Sequence, residues 1–263
     1  MKRCDGAIER APSGAQPFRS APRTRLFVGT SGWVYPDWVG PVYPRSLRGA
    51  EAFAFYAKHF DTVELNSTFY HFPRETTVEQ WQAMGGEAFA WSVKAWRRIT
   101  HIKRLKGIRD DARRFLTRVE PLAREGVVLF QLPPSSKQDL RRLEGFLKRL
   151  PASIRAAIEF RHNSWFAQDT YRLLAGHRVA LVGVDAPGIQ RVLDVRTAPF
   201  AYFRFHGSSQ WYRHRYSASE LKLFARAASI HLREGDLYAY FDNTADGHAF
   251  HNALAFRDAV QGS

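Results

Sequence analysis

Apolar and polar positions follow one another along this chain in two alternating rhythms. Short runs rich in Val, Ile, Phe, Tyr and Leu stand at 26–29, 62–66, 89–94, 127–132, 155–160, 179–184, 201–205 and 237–241. Each is too short for a helix and reads as a strand. Between them, helix-period stretches fall near 49–59, 75–84, 109–124, 138–149, 166–175, 217–234 and 247–260. Ser217 followed three residues later by Glu220 predicts a capping box, and Gly126, Gly176 and Gly235 stand where helices end. The stretch 185–199, with Pro187, Gly188 and Pro199, predicts an irregular connection. Strand–helix alternation at this spacing predicts an α/β fold of the TIM-type (β/α) barrel class, a single domain over 26–263. A doubly wound sheet usually carries a glycine-rich phosphate loop after its first strand. Here that position reads Gly29-Thr30-Ser31-Gly32-Trp33, which does not fit.

Residues 1–25 lack periodicity and hold Pro12, Pro17 and Pro22 with six basic and two acidic side chains, so a flexible basic leader is expected there. The apolar fraction of 45% in 263 residues is enough for a large core and excludes a disordered chain. A single cysteine, Cys4, leaves no intrachain disulfide framework or thiolate metal cluster. No run approaches a membrane span and no secretory h-region precedes the first strand, which points to a cytoplasmic protein with no membrane partner. A net charge of +14 attracts polyanions at low salt, whatever the function.

The period of two sorts each strand by face. Val63 and Leu65 oppose Glu64 and Asn66; Ile158 and Phe160 oppose Glu159 and Arg161. Phe203 and Phe205 oppose Tyr202, Arg204 and His206, while Val93 opposes Ser92 and Lys94. Gln131, Asp185, Asp242 and Asn243 end the fourth, sixth and eighth strands. The polar set gathers at the strand C-termini, where barrel enzymes place their sites. The plainer alternative is a set of inward charges that pair with one another and merely fill the barrel mouth. Aromatics follow in the loops, among them Trp33, Tyr35, Tyr70 and Trp211.

This pattern supports an enzyme acting on a small or medium anionic substrate. Glu64, Glu159, His206 and Lys94 are the candidate catalytic groups. Asn66, Tyr70, Gln131, Arg161, Arg204, Trp33, Tyr35 and Asn243 are the candidate binding groups, with Arg suited to carboxylate or phosphate. No cofactor is required by this reading. A divalent metal belongs to an alternative, a phosphoesterase- or isomerase-like barrel using Glu64, Glu159, Asp185 and His206. A second alternative is a nucleic-acid-binding protein without catalysis.

The segment Gly29-Thr30-Ser31-Gly32-Trp33-Val34-Tyr35-Pro36-Asp37-Trp38 resembles the opening signature of the YecE-like proteins, the family called domain of unknown function 72. Glu64-Leu65-Asn66-Ser67-Thr68-Phe69-Tyr70, Ser92-Val93-Lys94-Ala95 and Phe130-Gln131-Leu132-Pro133-Pro134 are similar to it too. So are Glu159-Phe160-Arg161-His162, Arg204-Phe205-His206-Gly207 and the ending from Tyr240 to Leu254. The matches run in order from about 26 to 260. The resemblance implies a TIM-type barrel and no activity. It also implies an asparagine in many relatives where this chain has Asp242.

Overall fold

The computed structural model describes residues 24–47 and 50–262. The expected leader therefore lies outside the described residues, apart from Thr24 and Arg25. Eight strands appear where the apolar runs stand: β1 Leu26–Thr30, β2 Thr62–Leu65, β3 Ala90–Lys94, β4 Val128–Gln131, β5 Ala156–Glu159, β6 Ala180–Asp185, β7 Ala201–Phe205 and β8 Leu237–Phe241. All pairings between them are parallel, and the order β1-β8-β7-β6-β5-β4-β3-β2 winds the sheet into a TIM-type barrel. Between strands lie α1 Ala50–Ala57, α2 Ser67–Tyr70, α3 Glu75–Gly85, α4 Arg109–Val119, α5 Leu140–Leu147, α6 Gln168–Gly176 and α7 Ala218–Leu232, and α8 His248–Gln261 follows β8.

Helix α7 begins with the expected capping box, Ser217 and Glu220 satisfying each other's backbone N–H. Helix α4 is shorter than its pattern because residues after Val119 turn away at Pro121. Two short elements have no clear signature in the periodicity: the four-residue α2 and a π-helical turn, Arg98–Ile102, after β3. Both follow strand C-termini and shape the loops that surround the barrel mouth.

Two apolar layers hold the fold. Outward strand residues such as Val63, Val93, Ile158 and Phe205 join helix residues such as Phe53, Phe115 and Phe256 in the larger one. Inside the barrel a smaller one combines Phe27, Leu129, Val182 and Ala157 with Tyr202, Tyr238 and Tyr240. The alternation expected from sequence is thus the alternation between these layers.

The barrel closes at β1 and β2 through little backbone pairing, a bridge between Ser31 and Glu64 with Gly32 N–H donating to the Glu64 carbonyl at 2.8 Å. Below it, the Tyr56 hydroxyl from α1 fills the gap. It accepts from Thr30 N–H at 2.9 Å and lies 3.0 Å from the Thr62 carbonyl, to which it donates. A Cβ at residue 29 would collide with that carbonyl and crowd the Tyr56 hydroxyl, so glycine is required there.

Candidate active site at the barrel mouth

The barrel interior grows more polar towards the strand C-termini. Deep inside, the Tyr240 hydroxyl meets Thr62 Oγ1 at 2.6 Å and donates to Ser92 Oγ at 2.8 Å. One layer higher, the Tyr202 hydroxyl donates to Glu64 Oε2 at 2.7 Å. These hydroxyls let an aromatic filling carry charged groups directly above it, because each hydroxyl finds a partner.

Arg204 stands at the centre of that charged layer and is fully buried. Its Nη2 donates to Glu64 Oε1 at 2.6 Å and contacts Asp242 Oδ2 and Ser31 Oγ at 3.2 Å. Its Nη1 donates to Glu159 Oε2 at 2.6 Å. One guanidinium thus joins carboxylates from β2, β5 and the end of β8. Burial alone would disfavour its charge, but the surrounding carboxylates hold Arg204 firmly protonated. Arg204 therefore organises the site from beneath, and its bonding capacity is largely consumed by neighbouring side chains.

Above it lies a second chain of contacts. Arg161 Nε donates to Glu159 Oε1, and Arg161 Nη2 donates to His206 Nε2 at 3.0 Å. A guanidinium can only donate, so His206 Nε2 accepts and its ring proton belongs on Nδ1. Nδ1 is 2.8 Å from Asp242 Oδ2, a contact bent from the ideal hydrogen-bond line. The Arg161 guanidinium also lies over the Trp211 ring, 4.6 Å from its centroid. Burial opposes the charge on Asp242, but Arg204 and His206 overcome it and bring its carboxyl down to about 2. Glu159 is held well below the usual carboxylate range by Arg161 and Arg204 against the same burial cost.

Lys94 is the exception to this pairing. Its Nζ sits 4.5 Å from the centroid of the Phe69 ring, and among the described residues no carboxylate comes within ion-pair distance of it. Burial, reinforced by the Arg204 charge, pushes its ammonium down to about 8. The charges of Asp242, Glu159 and Glu64 oppose the shift without cancelling it. Beside it, His101 from the π-helical turn packs edge-on to Phe69 at 4.7 Å. Burial and the charges of Lys94, Arg161 and Arg97 push the His101 imidazole down to about 4. His101 was missed in the sequence because it follows β3 in a loop without periodicity. The one available signal was its place in a basic, aromatic-flanked stretch, 96–106.

The remaining expected residues divide. Glu64, Glu159, His206, Lys94, Arg161 and Arg204 come together at the mouth, and Tyr35 joins them, donating to the Ser31 carbonyl while the Asp242 charge raises its hydroxyl pKa further above a value already raised by burial. Gln131 is nearly buried at the end of β4. Asn66 stands at the N-terminal boundary of α2 without a side-chain capping bond, and its Oδ1 is buried without a partner among the described residues. Asn243 ties loops together, donating to the His214 carbonyl at 2.8 Å and to Asn252 Oδ1 at 2.9 Å. Tyr70 is exposed on the rim, whereas Trp33 packs edge-on against Phe53 and Trp91 of the helix-side layer. Asp185 shares parity with the outward Leu181 and fastens the β7–α7 loop, accepting from the Tyr216 hydroxyl at 2.6 Å and Ser208 Oγ at 2.7 Å. It does not join the mouth acids. Among the described residues no group of three or more His, Cys, Asp or Glu side chains is arranged to hold a metal ion. The acids of the mouth face Arg204 and Arg161 instead.

The β7–α7 loop is held close over this site. Tyr212 adopts a left-handed φ of 63°, a costly conformation for an aromatic residue. Its N–H donates to the His206 carbonyl at 2.7 Å and its own carbonyl accepts from Ala245 N–H at 3.1 Å.

Comparison with known proteins agrees with this architecture. A barrel protein of the same family from Thermotoga maritima is 32% identical, with a TM-score of 0.80 over 90% of this chain and 99% of that one. One from Enterococcus faecalis, 21% identical, shares the fold with a TM-score of 0.77 over 90% of this chain and 96% of that one. YunF of Bacillus subtilis is 26% identical over 266 aligned positions, 86% of this chain and 92% of YunF. YecE of Escherichia coli K12 is 32% identical over 145, covering 54% of this chain, so the match spans about half of YecE, 51%. No helix among the described residues is long and apolar enough to cross a membrane. The family model described as "Protein of unknown function DUF72" matches residues 27–263, and this TIM-type barrel chain belongs to that family.

Proposed function

We propose that the barrel mouth is the active site of an enzyme for a small or medium anionic substrate. The observation that carries this reading is the Lys94 ammonium, unpaired among the described residues, at the same barrel mouth as Arg161. Two neighbouring carboxylates are held strongly ionised, so they serve better as fixed acceptors than as proton donors. Lys94, shifted towards neutrality, is the group suited to move a proton near physiological pH. His206, fixed between Asp242 and Arg161, orients Arg161 and completes the acceptor side. Glu64 lies lower, beneath Arg204, and supports the layer above. The positive field felt at His101 marks the β3 side of the mouth as the place for the anionic group.

Thermal-shift and calorimetric titration with a panel of small di- and tricarboxylates and phosphates tests this. We expect saturable stabilisation by at least one anion, weakened roughly tenfold or more in Arg161→Ala, since a charge-assisted bond is worth about 1.5–3 kcal/mol. Equal, non-saturating effects on both proteins would overturn it.

A metal-dependent reading needs acids free to ligate, and here Arg204 engages Glu64, Glu159 and Asp242 together. A polyanion-binding reading draws on the rim, where Val34, Tyr70, Ile102 and Tyr212 are exposed on the loops after β1, β2, β3 and β7. Exposed Arg97, Arg104 and Lys106 follow β3 on the same side. Aromatic and basic groups so mixed suit single-stranded nucleic acid.

A further inference from the structure

A second group of reactive side chains stands outside the mouth set, where the β7–α7 loop meets the start of α7. His214 Nε2 lies 3.0 Å from Glu220 Oε1, and His214 Nδ1 lies 2.8 Å from Ser209 Oγ. An ionised carboxylate can only accept, so the ring proton belongs on Nε2, and Nδ1 accepts from the Ser209 hydroxyl. Ser209, His214 and Glu220 thus form a hydroxyl–imidazole–carboxylate relay. The ring nitrogens are exchanged relative to the usual serine triad, but the roles are the same. The loop is built to hold this geometry. Gly207, at a φ of 112°, lets the chain fold back so tightly that a Cβ there would collide with the Gln210 carbonyl and His214 Cβ. His214 N–H donates to the Gln210 carbonyl at 3.3 Å, its own carbonyl accepts from Asn243 at 2.8 Å, and its ring packs edge-on to Tyr216. Glu220 is fixed by its other oxygen, which accepts from Ser217 N–H at 2.8 Å and Ser217 Oγ at 2.7 Å. Ser209 itself is exposed, and its N–H meets no acceptor among the described residues, so it is available to an oxyanion formed beside Oγ. The molecule also supplies its own comparison. Exposed Ser164 lies 2.9 Å from His162 Nδ1, but no carboxylate among the described residues contacts that ring.

We propose that Ser209 is the nucleophile of an esterase site on the β7–α7 loop, with His214 as its general base and Glu220 as the positioning residue. This goes beyond the anion site of the mouth and does not rest on it. The substrate class is a short-chain carboxylic ester, since the open surface around Ser209 gives a long acyl chain nothing to bury against. Ser209 Oγ attacks the carbonyl carbon, forming a C–O bond as the C=O π pair moves onto oxygen, and its proton passes to His214 Nδ1. When the tetrahedral centre collapses, the bond to the leaving oxygen breaks and Nδ1 returns the proton to it, releasing the alcohol. A water then attacks the acyl group, and its proton passes through Nδ1 to the departing Ser209 oxygen. The balance is one ester and one water giving one acid and one alcohol, with no change of oxidation state.

The test treats the full chain with a fluorophosphonate, whose P–F bond is replaced by a bond to an activated serine oxygen, and maps the adduct by mass spectrometry. We expect one dominant adduct, on Ser209, formed about a hundredfold or more faster than on Ser164, which has the imidazole without the carboxylate. With p-nitrophenyl acetate we expect a burst of about one p-nitrophenolate per chain and then steady turnover, both lost in Ser209→Ala. His214→Gln should slow labelling by about a hundredfold. Glu220→Gln keeps an oxygen for the capping box, so it should lower kcat about tenfold with KM and thermal unfolding unchanged. Ser209 labelled no faster than Ser164 in the wild-type chain would overturn the proposal without relying on any variant. Cleavage of p-nitrophenyl acetate that persists undiminished in Ser209→Ala would overturn it as well.

Discussion

At the scale of single residues, Arg204 and Lys94 sit at one barrel mouth and answer opposite demands. Arg204 is buried among Glu64, Glu159 and Asp242, so truncating it strands ionised acids without a partner. Arg204→Ala is expected to lower unfolding free energy by about 3–5 kcal/mol, measured by urea denaturation, because leaving a buried charge unpaired costs that much. A change below about 1 kcal/mol would mean that water reaches these acids freely. Lys94 should behave in reverse. Its ammonium pKa is lower in the folded chain, about 8, than the ordinary 10.5, so between those values the unfolded chain binds more protons. Stability from this group therefore rises as pH rises from about 8 towards 10.5, and the charge is a burden at neutral pH. Lys94→Met is expected to be more stable than wild type at pH 7 by about 1–3 kcal/mol, with the gap closing in alkali. Equal stabilities across that range would show that the ammonium is not disfavoured.

At the scale of elements, the β1–β2 seam is where the barrel depends on a side chain in place of a ladder. The Tyr56 hydroxyl takes one strand's N–H and gives its proton to the other strand's carbonyl, while Gly29 keeps the gap narrow. Tyr56→Phe removes both bonds and leaves Thr30 N–H buried without that acceptor. We expect a loss of about 1–3 kcal/mol and faster amide exchange at Thr30, read by hydrogen exchange. Unchanged protection at Thr30 would show that the seam pairs without the hydroxyl. The seam also bears on the site, since Ser31 and Glu64 are the bridge immediately above it and both contact Arg204. The π-helical turn after β3 has a comparable place, carrying His101 to the side of Phe69 next to Lys94.

For the whole molecule, the net charge of +14 predicts salt-sensitive attraction to any polyanion. Single-stranded oligonucleotides should bind at low salt and lose affinity steeply as salt rises, as measured by fluorescence anisotropy. If the rim of Tyr70, Ile102 and Tyr212 stacks on bases, Tyr70→Ala with Tyr212→Ala should weaken the binding that survives at moderate salt, by about 1–3 kcal/mol per base lost. Equal affinity for the variant at every salt concentration would leave only diffuse charge, and with it the small-anion reading of the mouth.

Much of this architecture was legible in the chain, for a local reason. Strand length, period-two alternation and turn residues are properties of neighbouring positions, and they located all eight strands and the inward parity of Glu64, Lys94, Glu159, Arg161, Arg204 and His206. Position at a strand end groups Asp185 with the others, but the structure places it on the outward face with Leu181, bonded to Tyr216. What the chain alone could not show is which charge meets which. Arg204 lies 140 residues from Glu64 in sequence, and only barrel closure makes them partners at 2.6 Å. Trp33 and Asn243 are aromatic or polar residues just past strand ends, and whether such a side chain turns to the mouth or to the helices depends on the loop's path. The unpaired state of Lys94 was hidden for the same reason. Pairing is decided by competition among groups brought together from distant strands, and in that competition the guanidinium groups took the carboxylates.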